Sequence, residues 1–356
     1  MESPVNLVAS FRGTGVVEIE ERPIVPPARG EILLGLRACG LCGTDLFKIR
    51  HGTIVPGTVL GHELVGNVVE VGAGVDAVRV GDRVVVPHHV SCGMCRLCLQ
   101  ENEPLCEMFR ENLLDPGGFA TFVTVGERAV RYALYRFPDA LSDAAISFLE
   151  PAACVIRGVR RSDVLSRRSV SQFPRCALIF GGGSMGLLHL LVLKATDPYI
   201  RVIVADPVAG RRDLALELGA DAATSPGEES AAAVSAMSEG SGADAVFDTV
   251  GGAALLEASL DVLRGGGTTV LFAHAGDGER SSFELNRLFK TEQRLMTTYS
   301  SSLRDQREAF ELIAGGRLDP SPLVTDRVPL REFFRAVSMV ENREALKVLI
   351  VPEDHS

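Results

Sequence analysis

The chain has no tryptophan, only four lysines among its 36 basic residues, and no apolar run long enough to cross a membrane. Its opening, MESPVNLVASFRG, lacks the basic stretch and following apolar core of a secretory signal, so a cytoplasmic protein is expected. Excess positive charge is missing as well. With 46 acidic residues against 36 basic ones the formal charge is −10, which argues against a nucleic-acid or anionic-membrane partner and for solubility. No function attaches to the scarcity of lysine. In a reducing compartment the eight cysteines are not expected to pair, and their spacing is instead a matter of metal or redox chemistry. What is present is length and apolar content: 356 residues, 46% hydrophobic, suffice for two domains with a sizeable core.

The stretch from Cys39 to Glu63, CGLCGTDLFKIRHGTIVPGTVLGHE, offers Cys42, His62 and Glu63 as ligands for one borderline metal, with Asp45 able to act behind them. Thiolate, imidazole and carboxylate together are a zinc set, and three protein ligands leave a fourth position for water or substrate. A plainer reading makes Cys42 a small buried hydrophobe and His62 a satisfied core histidine. Farther on, CGMCRLCLQENEPLC sets Cys92, Cys95, Cys98 and Cys106 apart by two, two and seven residues. Four thiolates so spaced close a tetrahedron on one zinc and leave no room for substrate, which makes that site structural. An iron–sulfur cluster also takes four cysteines and ranks behind zinc. Cys39 and Cys176 lie in apolar text and read as core.

Residues 5–38 alternate as strands, in VVEIEE and EILLGLRA, around the proline-rich turn PIVPPARGE. From Gly61 the chain reads GHELVGNVVEVGAGVDAVRVGDRVVV, short antiparallel strands of a partly open barrel punctuated by glycine. The motifs CGxCGTD and GHExxGxVxxVGxxVxxxxxGDRV resemble the zinc-containing alcohol dehydrogenases of the medium-chain dehydrogenase/reductase superfamily, and the resemblance extends over nearly the whole chain. It implies an α/β protein with a GroES-like catalytic barrel and a structural zinc on a lobe at about 91–107. It also implies a catalytic zinc held by Cys42, His62 and Glu150, with Glu63 as an additional or exchanging ligand. Glu150-Pro151 looks like the glutamate-proline motif of the polyol and threonine dehydrogenase branch. An acidic helix start is the competing reading of Glu150, and Cys154, four residues on, reads as packing. By the same resemblance Asp45 orients His62 and Thr44 takes the substrate proton. One departure stands out: where relatives often carry a proton-relaying histidine this chain has Phe47, and a phenyl ring cannot carry protons. His51, the cofactor ribose with water, or Glu63 would have to serve.

Residues 175–206 read as strand, glycine turn, helix and strand: RCALIF, GGGSMG, LLHLLVLKA and RVIVAD. Gly181, Gly183 and Gly186 meet the GxGxxG pattern in the context that makes it a dinucleotide fingerprint, with Ser184 and Met185 opening the helix whose N-terminus faces the pyrophosphate. Asp206 ends the next strand, where a carboxylate accepts from the adenosine ribose and repels a 2′-phosphate, so NAD is expected over NADP. Arg211 and Arg212 pull weakly the other way. Strands and helices continue to alternate through ADAVFDTVG and TTVLFAH to RLMTTYS, which implies a parallel doubly wound sheet. Loops around Thr249 and Phe272 fall where the family lines its nicotinamide, and His274 is the reactive residue type among them. The resemblance places residues 1–153 and 299–356 in the catalytic domain and 154–298 in the inserted Rossmann domain.

The expectation is an NAD-linked, two-zinc oxidoreductase that interconverts a small alcohol and its ketone, assembled as a homodimer or homotetramer. A polyol, cyclitol or amino-alcohol is the first choice of substrate, and threonine or a small diol the alternative. A zinc-free quinone reductase would lack the cysteine lobe and Cys42. A catalytically inactive binding relative would have lost ligands, and here each ligand position is filled.

Overall fold

The computed structural model describes residues 5–165 and 174–353. Residues 1–4 and 354–356 of the expected catalytic domain, and 166–173 of the inserted one, lie outside the described residues. The chain divides into two compact units, one running to Ala153 and resumed at Ser301, the other from Cys154 to Ser300.

In the first unit the organising strand is Ile32–Gly40, buried along most of its length. It pairs antiparallel with Glu63–Val71, Phe122–Val125 and Val348–Val351, so the C-terminal segment joins the sheet that the N-terminal segment begins. Arg83–Pro87 continues the sheet beyond Glu63–Val71, and a hairpin of Asn6–Gly13 and Val16–Arg22 is joined to this body by bridges at Val8–Ala120 and Ser10–Val59. Val8, Phe11, Leu34, Leu64 and Phe119 fill the interior. Phe333, on the helix Phe333–Glu341, closes it with its ring 4.9 Å from Phe119. Arg37 and Arg83, from two of these strands, converge on Asp143: Arg37 Nε lies 3.0 Å from either carboxylate oxygen, and Arg83 Nη2 donates at 2.6 Å. Burial pushes the Asp143 carboxyl up, but the two guanidiniums outweigh it and hold it below the ordinary 3.8.

In the second unit the central strands are short apolar runs, as strands covered on both faces must be. Cys176–Phe180 is buried at every position. Six strands lie in the order Ala222–Thr224, Arg201–Ala205, Cys176–Phe180, Ala243–Asp248, Leu263–Leu271, Arg294–Thr297, and each neighbouring pair is parallel. Numbered along the chain this is 3-2-1-4-5-6, the doubly wound order whose switch point lies at the carboxyl end of the first strand. The polar segment SPGEESAAAVSAMSEGSG carries a covering helix, Glu228–Met237. Among the described residues no helix is long and apolar enough to cross a membrane.

Candidate active site

Cys42 is the N-cap of the helix Gly43–His51, and Asp45 is the third residue of that helix. Asp45 Oδ2 accepts the Cys42 N–H at 3.1 Å, the back-bond of an N-terminal cap. Its other oxygen lies 3.3 Å from His62 Nδ1, just ahead of the strand Glu63–Val71. One fully buried carboxylate therefore ties the thiol's backbone and the imidazole together. Burial would raise the Asp45 carboxyl, but His62 and the Cys42 N–H more than offset it and the net shift is down. With Nδ1 engaged, Nε2 is the nitrogen of His62 left for a metal. Burial also opposes charging His62, yet Asp45 and then Cys42 outweigh it and lift the imidazole well above its ordinary value. The pocket is thus built to hold positive charge at this nitrogen. Donor atoms of Cys42, His62 and Glu63 lie within 4.8 Å of one another, so a zinc ion fits both the donor set and the electrostatics.

Glu63 is almost wholly buried and has a second claimant: Lys347 Nζ donates to Oε1 at 2.6 Å and also pairs with Oε2. Gly40 makes room for this carboxylate, since a Cβ there would stand 1.8 Å from Glu63 Oε2. Glu150 is half-buried in the first turn of the helix Leu149–Arg161, and its carboxylate is not among the donors that converge with Cys42, His62 and Glu63. Cys154 is half-buried on the same helix. Thr44 is half-buried in the first turn of the Cys42-capped helix. His51 is exposed, stacks on Phe47 with centroids 4.2 Å apart, and has its Nδ1 2.9 Å from the Phe47 carbonyl, so one of its nitrogens is committed to the helix end.

The four lobe cysteines form the second cluster, and all their sulfurs lie within 4.8 Å of each other. The contacts Cys92–Cys98, Cys95–Cys98 and Cys106–Cys92 measure 3.8, 3.5 and 3.6 Å. A tetrahedron with metal–sulfur arms of ~2.3 Å has edges of about 3.8 Å, so the fit to zinc is close. Backbone N–H groups of Met94 and Cys95 bring the Cys92 thiol down to about 6, whereas burial and the neighbouring sulfurs push Cys98 up to about 12. Four thiolates coexist here only around a cation.

At the switch point of the parallel sheet, Gly183 caps the helix Ser184–Thr196, with Ser184 and Met185 in its first turn. A Cβ on Gly186 would lie 1.8 Å from the Gly181 carbonyl, so glycine is required where helix and strand cross. Asp206 is 3% exposed; its Oδ2 accepts the Gly182 N–H at 2.7 Å and Oδ1 the Val208 N–H at 2.8 Å. Arg211 Nη1 lies 3.7 Å from Oδ2, and Arg212 donates to the Asp206 carbonyl at 2.8 Å. Thr249 Oγ1 donates to the Phe180 carbonyl at 2.7 Å, and the Phe272 N–H to the Asp248 carbonyl at 3.0 Å, which fixes both loops at the strand ends. These residues fit a dinucleotide.

Two family models match the chain: the alcohol dehydrogenase GroES-like domain over residues 28–134 and the zinc-binding dehydrogenase domain over residues 184–315. An L-threonine 3-dehydrogenase of Pyrococcus abyssi is 31% identical over 87% of this chain and 87% of its own. The chain belongs to the zinc-type medium-chain dehydrogenases. Also similar are a sorbitol dehydrogenase of Halalkalibacterium halodurans, 27% identical over 98% of this chain and 99% of that one, and a solved zinc-binding dehydrogenase from Sinorhizobium meliloti bound to NADP. The latter is 26% identical, with a TM-score of 0.84, over 98% of this chain and 100% of its own.

Sequence reasoning passed over three features of this dehydrogenase. Lys347 lies 284 residues from Glu63, and no local pattern marks their pairing. His88 and His89, next to one another after the strand Arg83–Pro87, bring a second imidazole to within 4.8 Å of the His62 ring centroid. Burial, then the neighbouring His62, drives His88 well below its ordinary value. Asp248 is wholly buried and holds the Thr249 loop by accepting the Val250 and Gly251 N–H groups on Oδ1. Its sequence signal was an acid directly after the apolar run at residues 245–247.

Proposed function

We propose that this dehydrogenase oxidises a secondary alcohol of a polyol, cyclitol or amino-alcohol to the ketone, with NAD as hydride acceptor. The observation that carries the reading is the convergence of Cys42, His62 and Glu63 donors within 4.8 Å, backed by buried Asp45. Two zinc ions per chain are proposed, one at this centre and one at Cys92, Cys95, Cys98 and Cys106. A zinc held by these residues would supply a Lewis acid for the alcohol hydroxyl, and a bound NAD would supply the hydride acceptor. Thr44 would receive the hydroxyl proton while passing its own on through the cofactor ribose and water, since Phe47 cannot carry it. Asp45 holds His62 in one tautomer, and Lys347 balances Glu63, which keeps that carboxylate beside the metal donors without excess negative charge. Glu150 is proposed as the carboxylate that completes the set when the centre is loaded, with Glu63 exchanging against it. Asp206 favours NAD because its carboxylate, next to the glycine turn, accepts from a ribose and repels a 2′-phosphate.

Threonine or a small diol is the second reading, favoured by the identity to a threonine dehydrogenase. A cytoplasmic homodimer or homotetramer is the proposed form. The test is NADH absorbance over polyols, cyclitols, amino-alcohols, threonine and simple alcohols, with NADP in parallel and zinc determined in the same sample. Turnover of one class with NAD supports the reading; no turnover across the panel with two zincs bound would overturn the substrate assignment.

A further inference from the structure

The register of the parallel sheet sets four strand ends in a row: Ala205 beside Phe180, Phe180 beside Asp248, Asp248 beside Leu271. A dinucleotide whose adenosine ribose meets Asp206 and whose pyrophosphate meets the glycine turn after Phe180 runs on toward the other two ends. Its nicotinamide half therefore falls to the loops that follow them, residues 249–252 and 272–276. The first of these loops lies against the glycine turn, since a Cβ on Gly181 would stand 2.6 Å from Thr249 Oγ1. It also touches the second. A Cβ on Gly251 would stand 2.3 Å from the His274 carbonyl, and Gly251 and Gly252 take φ of 87° and 109°, a region that favours glycine.

Beyond that backbone contact, one side chain joins the loops. Glu279 accepts the Ala253 N–H on Oε1 at 2.6 Å and the Gly276 N–H on Oε2 at 3.1 Å. These bonds, Ala253 first, hold its carboxyl below the ordinary 4.5. Capping the helix Ala253–Val262 explains the first bond, because the N-cap is Gly252, which has no side chain to offer. It does not explain the second, made across to the neighbouring loop. Asp248, wholly buried at its strand end, fixes the near side of residues 249–252 through the Val250 and Gly251 N–H groups, and Glu279 fixes the far side.

We propose that Glu279 is a positioning residue for the nicotinamide half of the cofactor, holding the two loops in the spacing that the ring enters. The inference rests on the NAD-linked dehydrogenase reading given above. A loop ordered before binding spares the complex that loss of freedom, and the benefit is confined to the half of the ligand that the loop meets. Adenosine and pyrophosphate, which meet Asp206 and the glycine turn, gain nothing from Glu279.

The test uses zinc-loaded full-length protein with Glu279→Ala and Glu279→Gln; the side chain is exposed, so neither change disturbs the core. With no tryptophan in the chain, NADH binding is read from the fluorescence of the cofactor itself. Calorimetry gives Kd for ADP-ribose, which lacks the nicotinamide. Glu279→Ala should weaken NADH by about five-fold and leave ADP-ribose within about two-fold. Glutamine keeps one acceptor for the Ala253 N–H and should recover part of the loss. Equal losses for NADH and ADP-ribose, or NADH binding unchanged in Glu279→Ala, would overturn the assignment of Glu279. A wild-type protein that binds neither NADH nor ADP-ribose would overturn the NAD-linked reading, and this inference with it.

Discussion

Replacing Lys347 with methionine removes the ammonium that balances Glu63 while keeping most of the side-chain volume. Lys347 is 3% exposed and Glu63 1%, so water cannot take over the neutralisation. Removing one partner of a buried ion pair costs about 3–5 kcal/mol, because the charge left behind is uncompensated. The surroundings work in the same direction. Burial alone would depress the Lys347 ammonium, yet Glu63 and then Cys42 lift it above its ordinary 10.5, so the pocket is short of positive charge. For a unit of about 150–250 residues, 1 kcal/mol moves the unfolding midpoint by about 2–4 °C. Metal-free Lys347→Met should therefore melt about 6–20 °C below the metal-free wild type, and zinc-loaded variant should fall short of zinc-loaded wild type by much less. With no tryptophan in the chain, the melt is followed by far-UV circular dichroism. The double variant Glu63→Met with Lys347→Met should recover most of the loss, since a buried pair replaced by apolar side chains is close to neutral. A metal-free Lys347→Met midpoint within about 2 °C of wild type, or a double variant no better than the single one, would refute the reasoning.

Asp206→Ser should raise kcat/KM with NADP relative to NAD by about ten-fold or more, measured at matched cofactor concentrations, because the repelling carboxylate is gone and Arg211 remains. Asp143→Asn should cost about 2–3 kcal/mol in urea unfolding at neutral pH, as two guanidiniums lose their anion. The Asp143 carboxyl is held below its ordinary 3.8 in the fold, so its contribution is complete above about pH 4 and disappears as pH falls through the folded value. The gap between wild type and Asp143→Asn should accordingly narrow at pH 3. His62 is shifted the other way, so protons compete with zinc from above pH 6.5 downward. Competition with a chromogenic chelator should show zinc affinity falling between pH 8 and 6; a flat profile would contradict the assignment of His62.

Much of this architecture is readable locally. The glycine turn, its following helix and Asp206 occupy one continuous stretch whose spacing reflects close backbone approach, and the parallel doubly wound sheet follows from alternating strands and helices. The cysteine lobe is equally local, with four donors inside fifteen residues. What the sequence conceals are pairs joined by register and closure. His88 reaches His62 only because Glu63 faces Pro87, and a slip of one residue would turn it to the other face. Lys347 reaches Glu63 only once Val348–Val351 docks on Ile32–Gly40. Arg37 and Asp143, 106 residues apart, are joined for the same reason. Glu150 is plain in sequence as part of a Glu-Pro motif, and the fold sets it in the first turn of the helix Leu149–Arg161.

The most direct test of the central claim is zinc content measured together with alcohol oxidation for wild type and His62→Ala. The account predicts two zincs per chain in the wild type, one in His62→Ala, and loss of NADH formation in the variant with its circular dichroism unchanged. Two zincs retained in His62→Ala, or undiminished oxidation with only one, would contradict a catalytic metal centre at Cys42, His62 and Glu63.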